Sequence, residues 1–430
     1  MKQSLAGLWR FALGADHTTP PEAADTSSNN PNQWFQAQQA VAAEDYAYTQ
    51  VGEDGLPLTW AEDIDLPATT ETADKGPARL AQGNTLHLSR VRPFTGVAYY
   101  GREVDIPDAW AGQHVELYLE RTKYTRVYVD GRLRSASSDT LVPQRHDLSQ
   151  ALTPGRHDLV VAVDNDLAAQ PDFPKAWLGG SQYTDHSHTN WNGLLGALYL
   201  EARGPVRILD IQAWGETEGV VTATITVVND SGPRPVELRL GGPELAGAAR
   251  QADLPTGESR LVLKTAPAGD PKPWSEFHPK VYVLRAEVFE GGALLDAQET
   301  AVGLREVSTQ GREMRVNGRR VSLRGRVDCA VFPRTGHAPM DRDSWRRVMA
   351  IARDYGLNHI RFHSWTPPEA AFAAADEAGV YLQVELPNFG NPYVTPSHPD
   401  YDPVLDAALH AQAEKVLTTY GNHPSFLLFS

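Results

Sequence analysis

Five residues whose side chains could do chemistry follow apolar, strand-like stretches in the last third of the sequence. They are Asp328, Arg361, His363, Trp365 and Glu385. A polar group at the carboxyl end of a parallel strand faces the pocket at that edge of the sheet. A guanidinium can orient carboxylates, and imidazole and indole groups can contact the polar groups or the apolar face of a ligand. The spacing therefore predicts a binding edge.

Each of these side chains also has a structural interpretation, and both interpretations stay open from the residues alone. Arg361 could be buried and paired inside the fold, and His363 could be hydrogen-bonded there. Trp365 could be packed, and Glu385 could form a plain salt bridge. Asp328 could likewise serve the fold without touching a substrate.

The elements that would position these residues alternate between strand and helix after about residue 306. The predicted strands are Val321–Cys329, Asn358–His363, Val380–Leu386 and Phe426–Phe429, and the predicted helices are Arg342–Tyr355, Glu369–Ala378 and Asp402–Tyr420. Repeated strand–helix pairs predict a parallel sheet. A complete (β/α)₈ TIM barrel needs about 250 residues, so residues 306–430 predict its first half.

The preceding residues read as two all-β regions. Residues 1–203 hold short alternating strands such as Val115–Glu120, separated by Gly, Pro, Asn and Asp, which predicts a jelly-roll sandwich. Residues 204–305 include the β-branched run Val220–Val228 and predict an immunoglobulin-like sandwich. The predicted fold is thus multidomain, with two β-sandwiches before the barrel half.

Composition narrows the function classes. The formal net charge is −15, with 54 acidic against 39 basic residues, which disfavours nucleic acid and anionic membranes as partners. No stretch reaches the roughly 18 apolar residues of a membrane span. Arg10 interrupts the early apolar residues, whereas a signal peptide needs an unbroken run. We expect a cytoplasmic protein, or one whose leader was removed.

Cysteine and histidine usage predicts neither a metal site nor another cofactor. Cys329 is the only cysteine, so an intramolecular disulfide is excluded, and it is expected to be a small packed residue. The segment Asp185-His186-Ser187-His188 could suggest a metal, but it lacks a third ligand at suitable spacing and is expected to be a solvated loop.

Several short motifs, in order and at the expected strands and turns, make the chain resemble glycoside hydrolase family 2. This is the group of β-galactosidases, β-glucuronidases and β-mannosidases, and the resemblance covers essentially the whole sequence. The motifs are Leu5–Phe11, Leu66-Pro67-Ala68-Thr69-Thr70, Trp191-Asn192-Gly193, Trp274-Ser275 with His278-Pro279, Gly303-Leu304-Arg305, Asn317-Gly318 with Leu323-Arg324-Gly325, and Asn422-His423-Pro424-Ser425.

The resemblance implies a retaining exo-β-glycosidase that hydrolyses O-glycosidic bonds, with β-galactosidase as the first expectation. Such enzymes need two carboxylates about 5–5.5 Å apart, one to protonate the leaving oxygen and one to attack the anomeric carbon. The family motif that begins at Phe429-Ser430 would put the acid/base glutamate four residues beyond Ser430. We therefore assign no catalytic residue and expect these residues alone to be inactive.

The resemblance also gives the strand-end residues a substrate. It implies that Arg361, His363 and Trp365 line a sugar pocket and that Glu385 supports it from behind, with Asp328 as a further contact. The expected partner is a carbohydrate, and a homo-oligomer is compatible with the family. Two alternatives stay open: a non-catalytic carbohydrate-binding protein, and an inactive, truncated gene product.

Overall fold

The structure is a computed structural model. It describes residues 1–17, 46–78, 88, 90–171, 173–174, 177, 180–181, 183, 189–266, 270–387, 396–399 and 401–430.

The first sandwich consists of antiparallel strands that form two sheets. The strands are β1 Lys2–Ser4, β2 Gly7–Leu13, β3 Glu62–Leu66, β4 Ala68–Thr69, β5 Val97–Ile106, β6 His114–Arg121, β7 Tyr124–Val129, β8 Arg132–Ser137, β9 Gln144–Asp147, β10 Gly155–Asp164 and β11 Gly193–Arg203. Their order is β3-β2-β5-β10-β7-β8 in one sheet and β1-β11-β6-β9 in the other, where β4 also pairs with β11. Alternating apolar residues such as Phe11, Leu117 and Val161 fill the space between the sheets.

The second sandwich is smaller and is also antiparallel. Its strands are β12 Val206–Gly215, β13 Val221–Asn229, β14 Arg234–Gly242, β15 Leu245–Leu254, β16 Gly257–Thr265, β17 Tyr282–Glu290 and β18 Ala293–Val302. They are ordered β12-β13-β16 and β15-β14-β17-β18. Ile225 and Leu284, from the two facing sheets, are fully buried in its core.

The last region begins with a small antiparallel sheet and continues as a parallel one. Its elements are β19 Val307–Gln310, β20 Glu313–Val316, β21 Arg319–Arg320, β22 Gly325–Asp328, α1 Arg342–Asp354, β23 His359–Phe362, α2 Glu369–Ala378, β24 Tyr381–Val384, α3 Pro403–Tyr420 and β25 Phe426–Phe429. The parallel sheet has the order β22-β23-β24-β25, which is also the chain order.

Local chemistry explains where the three helices of the described residues begin and end. The Asp341 carboxylate accepts a hydrogen bond from the Ser344 amide at 2.7 Å, and Asp402 caps α3 in the same way. Helix α2 ends at Gly379, whose φ of 68° suits glycine. Aspartate caps and a terminal glycine are readable from sequence, and the three predicted helices are confirmed within one residue.

The strand–helix alternation after residue 306 is also confirmed, with one change. The first parallel strand was predicted from Val321 but begins at Gly325. Val321 instead donates its amide to the Met314 carbonyl at 3.0 Å, because Arg319–Arg320 turns back onto β20 as a hairpin. The described chain is therefore mostly β, with sandwich domains before a parallel sheet. Its description as half of a barrel stays a prediction.

Candidate functional site

The four parallel strands end at one edge of their sheet. In the register, Asp328 of β22 lies beside Phe362 of β23, which lies beside Val384 of β24, and Phe429 of β25 follows. The residues after these positions therefore emerge together, as strand order and parallel pairing require. All five residues predicted from the sequence lie at this edge, which we call the strand-end edge.

Arg361, Glu385 and Ser364 form a hydrogen-bonded group at the strand-end edge. The Arg361 Nε donates to Glu385 Oε1, and the Ser364 amide donates to Glu385 Oε2 at 2.8 Å. Glu385 is only 8% exposed. Both of its oxygens therefore have donors, which fixes the carboxylate in one orientation. Ser364 has φ of 51°, a left-handed conformation that aims its amide at the carboxylate.

Asp328 connects the first strand to the loop after the second. Its Oδ2 accepts from Arg326 at 2.7 Å, and its Oδ1 accepts from the Ala330 amide at 3.0 Å. Its backbone carbonyl accepts from the His363 amide and from the Trp365 indole. Burial raises the pKa of Asp328, against the opposing effect of Arg326. Asp328 thus holds the loop that carries His363 and Trp365.

Trp365 is packed rather than presented to a ligand. It is 3% exposed, and its ring lies 5.0 Å from that of Phe362 at an interplanar angle of 84°. Phe332 and Trp345 surround the same ring at 6.1 and 6.4 Å. This geometry agrees with the packing interpretation of Trp365. Any contact of this indole with a sugar needs the surrounding rings to move.

His363 lies beside the lone cysteine. Its Nδ1 is 3.8 Å from Cys329 Sγ. Burial, together with Asp328, raises the pKa of Cys329. The thiol is therefore protonated at neutral pH, which argues against a nucleophilic role. His363 is half-buried, so part of the residue remains accessible to solvent.

A loop of the first sandwich completes the strand-end edge, and sequence reasoning missed it. The Ser181 amide donates to Ser364 Oγ at 3.2 Å. A Cβ at Gly180 would lie 2.5 Å from the Pro387 carbonyl, just after Glu385. Glycine is thus required where the loop meets the strand end. The adjacent glycines in Gly179-Gly180-Ser181 were a signal of close approach, but not of what is approached.

A narrow cavity of about 40 Å³ lies between this loop region and the parallel sheet. Arg121, Trp191, His337, Trp365 and Thr366 are among the residues that line it. Arg121 donates to the Thr366 and Pro367 carbonyls at 3.3 and 3.1 Å, which joins the first sandwich to the loop after β23. The cavity has room for water rather than a sugar ring.

At the opposite end of the sheet, the turn before β25 holds a buried charged group. His423 Nδ1 lies 2.6 Å from Asp376 Oδ2, and His423 Nε2 lies 3.0 Å from Glu369 Oε1. Burial opposes protonation of His423, but Asp376 and then Glu369 outweigh it and raise the pKa to about 10. Asp376 also accepts from the Ser425 amide at 2.9 Å. The sequence marked this segment only as a turn.

Metal and membrane features can be stated for the described part of the chain. There, no group of three or more His, Cys, Asp or Glu side chains is arranged to hold a metal ion. Asp185-His186-Ser187-His188 lie outside the described residues. Among those same residues, none of the helices has the length and apolar content to cross a membrane.

The fold and the strand-end edge together define a class: β-sandwich modules that precede a parallel sheet with polar groups at its carboxyl edge. Residues 206–305 match the sequence model of Glycosyl hydrolases family 2. A β-galactosidase of Arthrobacter sp. (strain B7) is 26% identical and shares 77% of this chain and 31% of its own length. A β-galactosidase of Enterobacter cloacae is 23% identical over 100% of this chain and 40% of its own length.

A solved structure extends the likeness to the whole described fold. The β-glucuronidase of Bacteroides uniformis aligns with a TM-score of 0.70 at 18% identity, over 100% of this chain and 46% of its own length. These comparisons confirm the resemblance to glycoside hydrolase family 2 that the sequence motifs predict. The chain spans less than half the length of each of these three proteins.

Proposed function

We propose that this chain forms part of a retaining exo-β-glycosidase that hydrolyses O-glycosidic bonds, with β-galactosides as the first candidate substrates. In this proposal residues 1–203 form a jelly-roll module, residues 204–305 an immunoglobulin-like module, and residues 306–430 the first half of a TIM barrel. The single observation that carries the proposal is the fixed Arg361–Glu385 group at the strand-end edge, where barrel enzymes of this kind carry their chemistry.

The proposed role of Glu385 is to position rather than to react. Its two oxygens are occupied by Arg361 and Ser364, so it cannot approach an anomeric carbon without breaking both contacts. A carboxylate held in this way fixes Arg361 and the backbone of Ser364 beneath the substrate. Asp328 and His363 lie on the neighbouring strand ends and are the proposed contacts to sugar hydroxyls.

Strand β25 supports the proposed place of the acid/base carboxylate. The Ser430 amide donates to the Val384 carbonyl at 3.0 Å, and the Leu386 amide donates to the Ser430 carbonyl at 2.8 Å. Residues that follow this strand in family members would therefore start beside Glu385. We infer that residues 1–430 alone do not hydrolyse a sugar, because the resemblance assigns no reacting carboxylate within them.

The proposal is tested with the complete gene product that contains these residues, assayed on nitrophenyl β-galactoside, β-glucuronide and β-mannoside. We expect turnover of the galactoside, and we expect Glu385→Gln to lower kcat/KM about 100-fold, since a misplaced site commonly costs that much. Glu377→Gln is the matched control, because Glu377 is a solvent-exposed glutamate that pairs with Arg346 on α1.

The outcomes separate the candidates. Turnover of the glucuronide alone would support the proposed glycosidase activity but change the proposed substrate to a β-glucuronide, in line with the name of the Bacteroides uniformis neighbour. Sugar binding without turnover by the complete protein would support a non-catalytic binding protein instead. An equal loss of kcat/KM in Glu385→Gln and Glu377→Gln would show that the strand-end edge is not the site of the proposed reaction.

A further inference from the structure

The outer face of the second sandwich carries an exposed tryptophan among polar side chains. Along β12, Asp210, Gln212 and Trp214 point away from the core, because Ile211 and Ala213 between them are buried within it. Trp214 is 54% exposed. A single exposed indole is common on protein surfaces, so the groups around Trp214 decide whether this face is a candidate surface.

Cross-strand pairing sets the chemistry of this face in three rows. The pairs are Trp214 with Thr222 and Lys264, Gln212 with Thr224 and Val262, and Asp210 with Thr226 and Arg260. From Asp210 to Trp214 the strand advances about 13 Å. Thr222 and Thr226 are buried beneath this face. The face therefore presents one flat aromatic ring followed by amide, carboxylate and guanidinium groups over a length that exceeds one sugar ring.

Part of these rows opens into a groove, which we call the α3 groove, and Trp214 lies just outside its lining, two residues beyond Gln212 on β12. It encloses about 1150 Å³ between the outer face of the second sandwich and helix α3. Its lining includes Asp210, Gln212, Thr226, Arg260, Leu417 and Thr418. Gln212 Nε2 donates to Thr418 Oγ1 at 3.3 Å, which joins the second sandwich to helix α3.

The groups in the α3 groove are ordered and mixed in charge. Thr226 Oγ1 lies 3.0 and 3.1 Å from the two Asp210 oxygens and shares its one proton between them, which holds the carboxylate in place. Burial raises the pKa of Asp210, whereas Arg260 opposes this change. Carboxylate and guanidinium groups side by side suit a neutral ligand with many hydroxyl groups, which needs donors and acceptors together.

We propose that the α3 groove and the Trp214 platform form a second, non-catalytic saccharide site that binds a neutral oligosaccharide or polysaccharide chain. One pyranose ring packs its C–H face on the Trp214 indole, and the following units place hydroxyls against Gln212, Asp210 and Arg260. The choice of a saccharide rests on the proposed function, whereas the location rests on the geometry of the second sandwich.

A second copy of this chain fits the face less well. A stable interface buries roughly 800 Å² on each partner around an apolar centre. Here the exposed apolar members of the three rows are Trp214 and Val262, with Lys264 and Arg260 beside them. A polyanion is disfavoured as well, because the groove holds acidic groups and the whole chain has a formal charge of −15.

The test is affinity electrophoresis of the 430-residue chain in native gels that contain soluble galactan, xyloglucan or glucomannan. We expect at least one polysaccharide to retard the chain and Trp214→Ala to weaken that binding about tenfold, with Trp214→Phe in between. Phe277→Ala is the matched control, because Phe277 is 69% exposed at a different surface. Circular dichroism checks that each variant is folded.

Arg361→Gln separates this site from the strand-end edge. Retardation that survives Arg361→Gln and is lost in Trp214→Ala supports the α3 groove. Retardation lost only in Arg361→Gln would overturn the groove and leave the proposed function in place. An absence of retardation in all three gels would also overturn the proposed saccharide site. So would a Trp214→Ala variant that changes the molar mass of the chain in light scattering without changing its retardation, because the face would then be an interface between two copies of the chain.

Discussion

The two ends of the parallel sheet use similar charge pairs for different purposes. At the amino end, His423 and Asp376 are 8% and 3% exposed at their side chains, and both lie within the core. At the carboxyl end, Glu385 is equally buried, but its partner Arg361 is 41% exposed. The buried His423–Asp376 pair can only stabilise the fold. The Arg361–Glu385 pair keeps a partly exposed charged group at the strand-end edge. Barrel enzymes divide stability and chemistry between the same two ends.

The largest expected effect is on the stability of the amino end. Asp376→Asn leaves a buried imidazolium without its main partner and weakens the acceptor of the Ser425 amide. Breaking a buried ion pair costs about 3–5 kcal/mol, so urea unfolding should show a loss of that size. Glu377→Gln, one residue along the same helix, should cost less than about 1 kcal/mol. Equal losses of unfolding free energy in the two variants would contradict the structural role assigned to the buried pair at the amino end.

The second prediction uses pH to isolate the same group. The folded pKa of His423, about 10, is above the ordinary value of 6.5. Its contribution is therefore complete below about pH 6.5 and is lost as the pH rises towards 10, since the folded state binds the extra proton in that window. The free energy of unfolding should fall across this range in the parent and less steeply in His423→Gln. Parallel profiles for the two proteins would contradict the assignment.

A smaller stability effect is expected at the carboxyl end. Arg361→Gln removes a partly exposed guanidinium, so the free energy of unfolding should fall by about 1–2 kcal/mol. In the complete gene product the same change should lower kcat/KM far more than that loss of stability explains, because Glu385 loses its fixed orientation. Chemical denaturation and steady-state kinetics on one preparation provide both numbers. A loss of stability as large as that of Asp376→Asn would make Arg361 a structural residue.

The smallest effect is expected at Cys329, which lies between the predicted contacts without sharing their role. Its raised pKa keeps the thiol protonated, so alkylation by iodoacetamide should be slow at pH 7 and faster in alkaline solution. Cys329→Ser should change stability and activity little, within about 1 kcal/mol. Rapid labelling at neutral pH, or a large loss of activity, would show that the carboxyl end contains a reactive thiol.

The sequence predicted what depends on neighbours along the chain. Aspartate caps, terminal glycines and apolar runs set the helices and parallel strands, and parallel pairing then brings Asp328, Arg361 and Glu385 to one edge. A packed Trp365 was one of the interpretations that the sequence left open, but the three aromatic rings around it were not readable, because side-chain surroundings depend on the tertiary fold.

Contacts between distant segments were the main omission. Asp376 and His423 lie on different elements, and nothing in either local pattern announces that they meet. The outer rows of the second sandwich were hidden for a related reason: alternation reveals which residues face outwards, but not that helix α3 lies across from them. Contacts of this kind can be predicted only when the pairing register of whole sheets is known.

Gly180 lets a loop of the first sandwich contact the strand-end edge. Because Gly180 has no side chain, the loop can pack directly against the backbone after Glu385. The amide of the neighbouring Ser181 donates a hydrogen bond to Ser364 Oγ. In a saturation mutagenesis screen of the complete gene product for turnover, substitutions at position 180 should therefore resemble those at the strand-end edge more than those elsewhere in the first sandwich. The proposed binding edge would then depend on two modules that cannot be exchanged independently.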